Sequence, residues 1–269
     1  MVENKKRGRK QKHIVNILKT RVWVEYLIQL TKLSVDQLEM QIGVLENQSI
    51  DKAYRLRRYV NGEHIPELAY INKIEGFYPG SKAIFEHLLW EVLLTFERSQ
   101  DEINGLIHKL QPEVKNLLIS DLNEEQFKRK YFNESTVKML IDLGTIDCLV
   151  VAILMVQESI FLGSEKLREL ALELYLGLTE KTAQNPLFFK IHPELFNYMD
   201  MSFKHYIFIA PNIRFSAVIF WQAYRNKFWA EDIMKSSEIL EQSKKIVFPN
   251  EITPKTRVEP LDGSSYFDL

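Results

Sequence analysis

Apolar residues recur at spacings of three and four along most of this chain, and strand-like alternation of apolar and polar residues is rare. Such spacing places the apolar side chains on one face of an α-helix. Only ten Gly and nine Pro interrupt the 269 residues, so few positions favour turns. The pattern therefore predicts an all-α fold.

Five helices are predicted in the first third of the chain. Ser34 can cap the second helix, because SVDQ places Gln37 three positions later, as a capping box requires. Gly43 can end that helix. Pro66 can start the fourth helix, and the turn YPGS leaves Ser81 to cap the fifth. The predicted ranges of the first and third helices are 15–33 and 51–61.

Beyond residue 99 the predicted helices are more acidic and more apolar. The stretch Cys148 to Val156 is apolar on every side, which indicates a central helix surrounded by others. A cysteine in such a run normally packs as a small hydrophobic residue. The predicted helices are 102–110, 113–119, 124–131, 135–143, 146–161, 164–178, 192–201 and 213–245.

This pattern divides the chain into four parts. Residues 1–14 form a basic disordered arm, 15–98 a first helical domain, 99–246 a larger helical domain suited to association, and 247–269 an extended tail. Three prolines and the sequence GSS in residues 247–269 favour the extended tail.

Charge is divided unequally along the chain. Residues 1–82 hold fifteen Lys or Arg and nine Asp or Glu, a balance of +6, whereas residues 83–269 hold twenty and twenty-seven, a balance of −7. The net charge of −1 conceals this division. The front of the chain is therefore suited to phosphate contacts, although a run of charge is more often a solvated face.

The third predicted helix has one apolar face and one basic face. At 100° per residue, Leu56, Tyr59 and Val60 form one stripe with Ala53, and this stripe should turn toward the first two helices. The arginines of the helix project from the opposite side. Guanidinium groups on a short exposed face can contact phosphates or the acceptor edge of guanine in a major groove. A solvated basic face balanced by nearby glutamates is the alternative.

The N-terminal arm, KKRGRKQKH, is a second signal for nucleic acid. KKRGRK is similar to the core of minor-groove hooks, in which Arg7 and Arg9 would follow the groove and the lysines would contact phosphates. A basic tail that only improves solubility is the alternative. The predicted DNA-binding residues of the arm and the third helix are Lys5, Lys6, Arg7, Arg9, Lys10, Lys12, Lys52, Tyr54, Arg55, Arg57 and Arg58.

The order LSVDQLEMQIG, then RRYVNGEHIP, then an apolar helix resembles the helix-turn-helix domain of the lambda-repressor and Cro-like regulators, over about residues 20–80. The matching positions are Leu33, Leu38, Ile42, Gly43, Tyr59, Gly62 and Pro66. The turn is longer than in that family by about seven residues, mostly VLENQSI. The resemblance implies that the third helix reads DNA, and that the domain of residues 15–98 is a DNA-binding domain.

The chain also looks like a loosely defined set of uncharacterised bacterial proteins. These share the glycine-to-proline motif, followed by PGS and a leucine-tryptophan pair, which here is Leu89 and Trp90. This second resemblance implies a bacterial source and brings no known activity with it.

Catalytic motifs are absent from the sequence. It contains no Gly-rich phosphate loop, no serine nucleophile elbow, no paired cysteines and no HExxH, and its six histidines lack metal-ligand spacing. Glu86 with His87 and Asp142 with Asp147 are possible acid-base pairs, but helix-surface polarity explains them better. The aromatic cluster over residues 187–229 could stack single-stranded bases, but core packing is the favoured interpretation. We expect neither catalysis nor a metal or cofactor.

The single cysteine and the lack of a convincing membrane segment favour a cytoplasmic protein. The sequence predicts a double-stranded DNA-binding protein, either a transcription regulator or a DNA recruiter, which dimerises if its site is palindromic. The alternative is a helical protein-interaction subunit of a mobile-element or defence complex.

Overall fold

The computed structural model describes residues 12–46, 55–120, 128–203, 208–210 and 213–214. Helices dominate these residues, which confirms the all-α class. The described residues form two compact units, one ending at Leu94 and the other beginning at Thr95. The predicted tail, 247–269, lies outside the described residues.

The N-terminal unit is built around its first helix. This helix packs against α2, α3, α5 and α6, and α4 packs against α5. The six helices are α1 (Ile14–Thr31), α2 (Val35–Leu45), α3 (Arg55–Val60), α4 (Leu68–Phe77), α5 (Ser81–Phe85) and α6 (Leu88–Leu94).

An aromatic cluster lies at the centre of this unit. The indole ring of Trp23 is fully buried and meets the rings of Tyr59, Tyr70 and Phe85 edge-on, at centroid distances of 6.2, 6.3 and 6.1 Å. Such edge-to-face pairs are favourable beyond the apolar area that they bury. Four helices, α1, α3, α4 and α5, are thereby joined in one core.

Local signals place the start of α2 correctly, and its end differs from the prediction. The Ser34 side chain accepts from the Gln37 N–H, and the Gln37 side chain accepts from the Ser34 N–H, as in a capping box. Gly43 does not end the helix, which continues to Leu45. The physical reason is that Gly43 does not adopt the left-handed conformation that ends a helix. The helix α4 begins at Leu68, two residues after Pro66.

The predicted fifth helix is wrong in two respects. Its cap is Gly80, with φ of 90°, and Ser81 is already helical and donates its hydroxyl to Glu75. The helix also breaks into α5 and α6. The indole N–H of Trp90 donates to the carbonyl of Ile84, and the Nδ1 atom of His87 accepts from the Leu89 N–H. These side chains supply hydrogen-bond partners for backbone groups at the break, where α5 ends and α6 begins.

The C-terminal unit is built around α10. This helix packs against α11, α9 and α7, and α8 packs against α7 and α9. The helices are α7 (Gln100–His108), α8 (Pro112–Leu118), α9 (Glu134–Leu143), α10 (Ile146–Phe161), α11 (Glu165–Gln184) and α12 (His192–Ser202). Two short antiparallel strands, β1 (Phe208–Ala210) and β2 (Ile213–Arg214), complete its described elements.

The apolar run within α10 is buried along its whole length. Every residue from Cys148 to Val156 is at most 1% exposed, which confirms a central helix. Cys148 packs among these residues, its thiol lies 3.2 Å from the Thr145 hydroxyl, and burial raises the pKa of the thiol. The thiol therefore acts here as a small buried side chain.

A buried ion pair follows this apolar run. Arg129 donates from Nη2 to Glu158, at 2.8 Å, and from Nη1 to Asn104, at 3.0 Å. Gln100 donates to the other carboxylate oxygen of Glu158. The pair thus connects α7 and α10 to the segment that carries Arg129.

Two predicted helices of this unit need correction. The described part of the predicted helix 124–131 is extended, because Arg129 pairs in a β-bridge with Ile119. Backbone bonds from Ser120 to Lys128 and from Lys130 to Leu118 flank this bridge. The predicted helix 213–245 begins instead in strand β2, and its later residues lie outside the described part of the chain.

Candidate nucleic-acid interface

The helix α3 ends in the left-handed turn that the glycine predicts. Gly62 has φ of 73°, and the amides of Glu63 and His64 both donate to the carbonyl of Arg58, at 2.8 and 3.2 Å. An added Cβ at Gly62 would lie 2.8 Å from Cγ2 of Ile17. A residue without a side chain is therefore needed both for the conformation and for the close contact with α1.

The apolar face of α3 is held in the core. Leu56 and Tyr59 are buried, and α3 packs against α1 and α2. Burial raises the pKa of Tyr59, so its phenol stays neutral at physiological pH. This confirms that the stripe containing Leu56 and Tyr59 turns toward the first two helices, and it fixes which side of α3 faces solvent.

Two carboxylates of α2 hold α3 from the side. The Oε1 atom of Glu39 accepts from the backbone N–H of Leu56, at 3.0 Å. The N–H groups of the first helical turn have no partner within their own helix, so this carboxylate satisfies one of them. Asp36, one turn earlier on α2, contacts the side chain of Arg57, the next residue of α3.

The contact between Asp36 and Arg57 is bidentate. The Nε and Nη2 atoms of Arg57 donate to Oδ1 and Oδ2 of Asp36, both at 2.6 Å. The Asp36 side chain is 54% exposed and the Arg57 side chain is 52% exposed. The Arg57 guanidinium lowers the pKa of Asp36, so the carboxylate remains charged across the physiological range. Arg57 is thus exposed but held in one orientation.

Arg55 has a different environment. Its guanidinium carbon lies 4.7 Å from the centre of the Tyr70 ring, and Nη1 lies 3.9 Å from the Glu46 carboxylate. Glu46 also forms an ion pair with Lys73, with 3.2 Å between its Oε1 atom and the lysine Nζ atom, and its side chain is only 4% exposed. Arg55 therefore helps to cover the core of its own unit, in addition to any contact with a ligand.

Arg58 is the third arginine of α3, and it is exposed. Among the residues that the structure describes, its side chain has neither an ion pair nor a hydrogen bond. An exposed arginine side chain of this kind suits a phosphate contact, which needs charge more than fixed geometry. The three predicted arginines therefore differ in how firmly each one is held.

Lys12 lies near the same end of α3. Its Nζ atom donates to the carbonyl of Gly62, at 3.4 Å, and this brings the start of the described chain beside the exit of α3. The remaining predicted DNA-binding residues lie outside the described residues. These are Lys5, Lys6, Arg7, Arg9, Lys10, Lys52 and Tyr54.

The contribution of α2 to this surface was missed by sequence reasoning. Asp36 and Glu39 are three positions apart, so both side chains lie on one side of α2. That spacing was the available signal, but it does not reveal which residue each carboxylate contacts. Glu46 was also missed, because it falls in the connection between α2 and α3.

The possible acid-base pairs have structural roles in this fold. Glu86 lies 4.0 Å from the Lys82 ammonium, and His87 caps α6. Asp147 is buried and accepts from the N–H of Gln111, at 2.7 Å, at the start of α8. No group of three or more His, Cys, Asp or Glu residues in the described ranges could hold a metal ion.

The described part of the aromatic cluster is divided between core and surface. Phe188 and Phe196 are buried, whereas Phe189 is half exposed. The ring of Phe196 stacks on His192, at a centroid distance of 4.3 Å. The side chains beyond residue 203 lie outside the description, so the stacking platform stays a prediction.

No family model, curated protein or solved structure matches this chain. Across the ranges that the structure describes, none of the helices combines the length and apolar character needed to cross a bilayer. The geometry of α2 and α3 and the charge pattern of the sequence are therefore the features that bear on function.

Proposed function

We propose that this chain is a bacterial, cytoplasmic protein that binds double-stranded DNA through the basic face of α3 and the basic arm of residues 1–14. It acts as a regulator or as a DNA recruiter, and the larger helical domain supports association, including dimerisation at a palindromic site. The observation that carries the proposal is the orientation of α3. Leu56 and Tyr59 are fixed in the core, whereas Arg57 and Arg58 are exposed.

This arrangement is suited to a DNA groove for two reasons. A buried apolar face leaves only one side of the helix available to a partner, and that side carries adjacent positive charges. Lys12, the first described residue, lies near the glycine exit at the same end of α3. An arm and a helix can then contact adjacent grooves of one duplex.

Fluorescence anisotropy with labelled random duplex DNA, over a series of salt concentrations, tests the proposal. Removing Arg57 and Arg58 together should weaken binding about tenfold. It should also reduce the slope of log K against log salt, by close to one for each of the two arginines that contacts a phosphate, because each such contact releases about one counterion. Arg55 is kept, because its contacts with Tyr70 and Glu46 would mix folding with binding.

A matched control removes the same charge elsewhere. Substituting Lys138 and Arg168 by alanine also deletes two positive charges, both from the C-terminal unit, and should leave binding unchanged. A further variant lacking residues 1–11 keeps His13, whose side chain accepts from the Val15 N–H at the start of α1. Equal affinity of the wild type and the double arginine variant would refute the assignment of α3.

The second candidate is a protein-interaction subunit of a mobile-element or defence complex. It is favoured by exposed apolar side chains at the end of α10, where Phe161 and Leu162 are 58% and 56% exposed. Large exposed apolar groups commonly mark contacts with other proteins. This candidate predicts negligible affinity for duplex DNA and a stable complex with a partner protein.

A further inference from the structure

The orientation of Arg57 carries an inference about sequence recognition. Asp36 contacts the guanidinium from the side, through Nε and Nη2, with two hydrogen bonds of 2.6 Å. This fork geometry fixes the plane of the guanidinium as well as its position. About half of the arginine side chain remains exposed to solvent in this orientation.

The pair of Asp36 and Arg57 contributes little to the stability of the fold. Both of its members are more than half exposed, and exposed ion pairs are weak because solvent screens them. Its main effect is to restrict the rotamers of Arg57 before any ligand binds. Restricting a long side chain in its bound orientation lowers the entropy that binding would otherwise lose.

A guanidinium of fixed plane suits an acceptor pair of fixed plane. Guanine presents such a pair, O6 and N7, at the edge of the major groove, and arginine binds it with two hydrogen bonds. Arg58, which no described carboxylate holds, suits a phosphate instead. The two adjacent arginines can therefore divide sequence reading and affinity between them.

We propose that Asp36 is a positioning residue that orients Arg57 to read a guanine in the major groove of duplex DNA. The inference rests on the proposed function, in which α3 binds duplex DNA. It adds a specific consequence, because Asp36 is negative and lies beside a surface that faces phosphates. Losing Asp36 should lower discrimination between sequences and, at the same time, slightly raise affinity for random DNA.

The test begins with a duplex selected from a random pool by the wild-type chain. Affinity is then measured for that duplex, for a random duplex, and for the selected duplex with each guanine replaced in turn by 7-deazaguanine, which lacks the N7 acceptor. Discrimination is the ratio of the first two affinities. The variants are Asp36→Ala, Arg57→Ala, the double variant, and Glu67→Gln as the control.

The control matches the change in charge. Glu67 is exposed beyond the exit of α3, and its side chain makes no capping hydrogen bond at the start of α4. Glu67→Gln removes one negative charge from this unit, as Asp36→Ala does, without touching Arg57. Melting curves of all four variants establish that each one is folded at the temperature of the assay.

The expected result is a loss of discrimination of about five- to twentyfold in Asp36→Ala, within the range of one bidentate base contact. Glu67→Gln should keep the wild-type ratio. One 7-deazaguanine should weaken the wild type but not Asp36→Ala. In the Arg57→Ala background, Asp36→Ala should not lower discrimination further, because its effect on discrimination acts through that arginine.

Three outcomes overturn the inference, and they are distinguishable. If the wild type binds duplex DNA and Asp36→Ala keeps its discrimination, the positioning role fails while the proposed function survives. If the wild type binds no duplex at any salt concentration, the proposed function fails and the inference fails with it. The role is also refuted if Asp36→Ala lowers discrimination in the Arg57→Ala background as well, because Asp36 would then not act through Arg57.

Discussion

Gly62→Ala should destabilise the N-terminal unit, because alanine at this position meets two independent penalties. The backbone at Gly62 has φ of 73°, a left-handed conformation that disfavours any residue with a Cβ atom. The added Cβ would also lie 2.8 Å from Cγ2 of Ile17, on α1. Both penalties arise at the exit of α3, where the proposed DNA-binding surface ends.

The magnitude follows from three contributions. The left-handed conformation costs alanine about 1 to 2 kcal/mol. The short contact adds about 1 kcal/mol, at the low end for overpacking, because Ile17 is only partly buried and can shift. Alanine also restricts the unfolded chain, which offsets about 0.4 to 1 kcal/mol. The expected net loss is about 1 to 2 kcal/mol in the free energy of unfolding.

Gly43→Ala is the matched control. Gly43 lies within α2, and no described atom comes within 4 Å of an added Cβ. Alanine in a helix is more favourable than glycine by about 0.5 to 1 kcal/mol, so this change should stabilise the unit. In an Ile17→Ala background, which removes the short contact, Gly62→Ala should show only the conformational penalty.

Urea unfolding of the full-length chain, followed by circular dichroism, measures these changes. Hydrogen exchange of amides in α1 to α4 assigns them to the N-terminal unit. The reasoning is refuted if Gly62→Ala is as stable as the wild type. It is also refuted if Gly43→Ala loses as much stability as Gly62→Ala, because the effect would then not depend on backbone conformation.

Two further predictions concern the C-terminal unit. Glu158→Gln should lower the free energy of unfolding in urea by about 2 to 4 kcal/mol, because it leaves Arg129, whose side chain is 20% exposed, without its ion pair. The control Glu134→Gln loses only the exposed contact with Lys166 and should lower it by less than about 1 kcal/mol. Burial lowers the pKa of His192 from 6.5 to about 4, so the folded chain binds fewer protons at this residue than the unfolded chain. The free energy of unfolding should therefore fall by up to roughly 3 kcal/mol as the pH decreases from 6.5 to about 4. His192→Gln should lose less stability over the same pH range, and an equal loss in both proteins would contradict this assignment.

Local signals in the sequence were sufficient for much of the fold. The capping box at Ser34 and the long apolar run of α10 are defined by residues close together in the chain, and both are found where they were predicted. The glycine exit of α3 is equally local, since only the backbone conformation of Gly62 is required. The start of α2, the existence of α10 and the exit of α3 were therefore predictable from local sequence.

Contacts between distant residues decided the elements that were wrong. The segment around Arg129 is extended because its side chain reaches Glu158, 29 positions later, and its backbone pairs with Ile119. The break between α5 and α6 depends on the Trp90 indole reaching the carbonyl of Ile84. Neither contact follows from helical periodicity, which describes one face of one element at a time.

The same limit applies to the arginines of α3, which a helical projection treats as one basic face. Arg57 is held by Asp36, 21 positions earlier, whereas Arg55 covers the Tyr70 ring beside Glu46. A count of positive charges therefore overstates the number of phosphate contacts that this helix can make. The three side chains instead have different environments. Arg55 covers the Tyr70 ring, Asp36 fixes the plane of the Arg57 guanidinium, and Arg58 is exposed. Binding that depends equally on all three would be inconsistent with this arrangement, because only an evenly solvated face would make them equivalent.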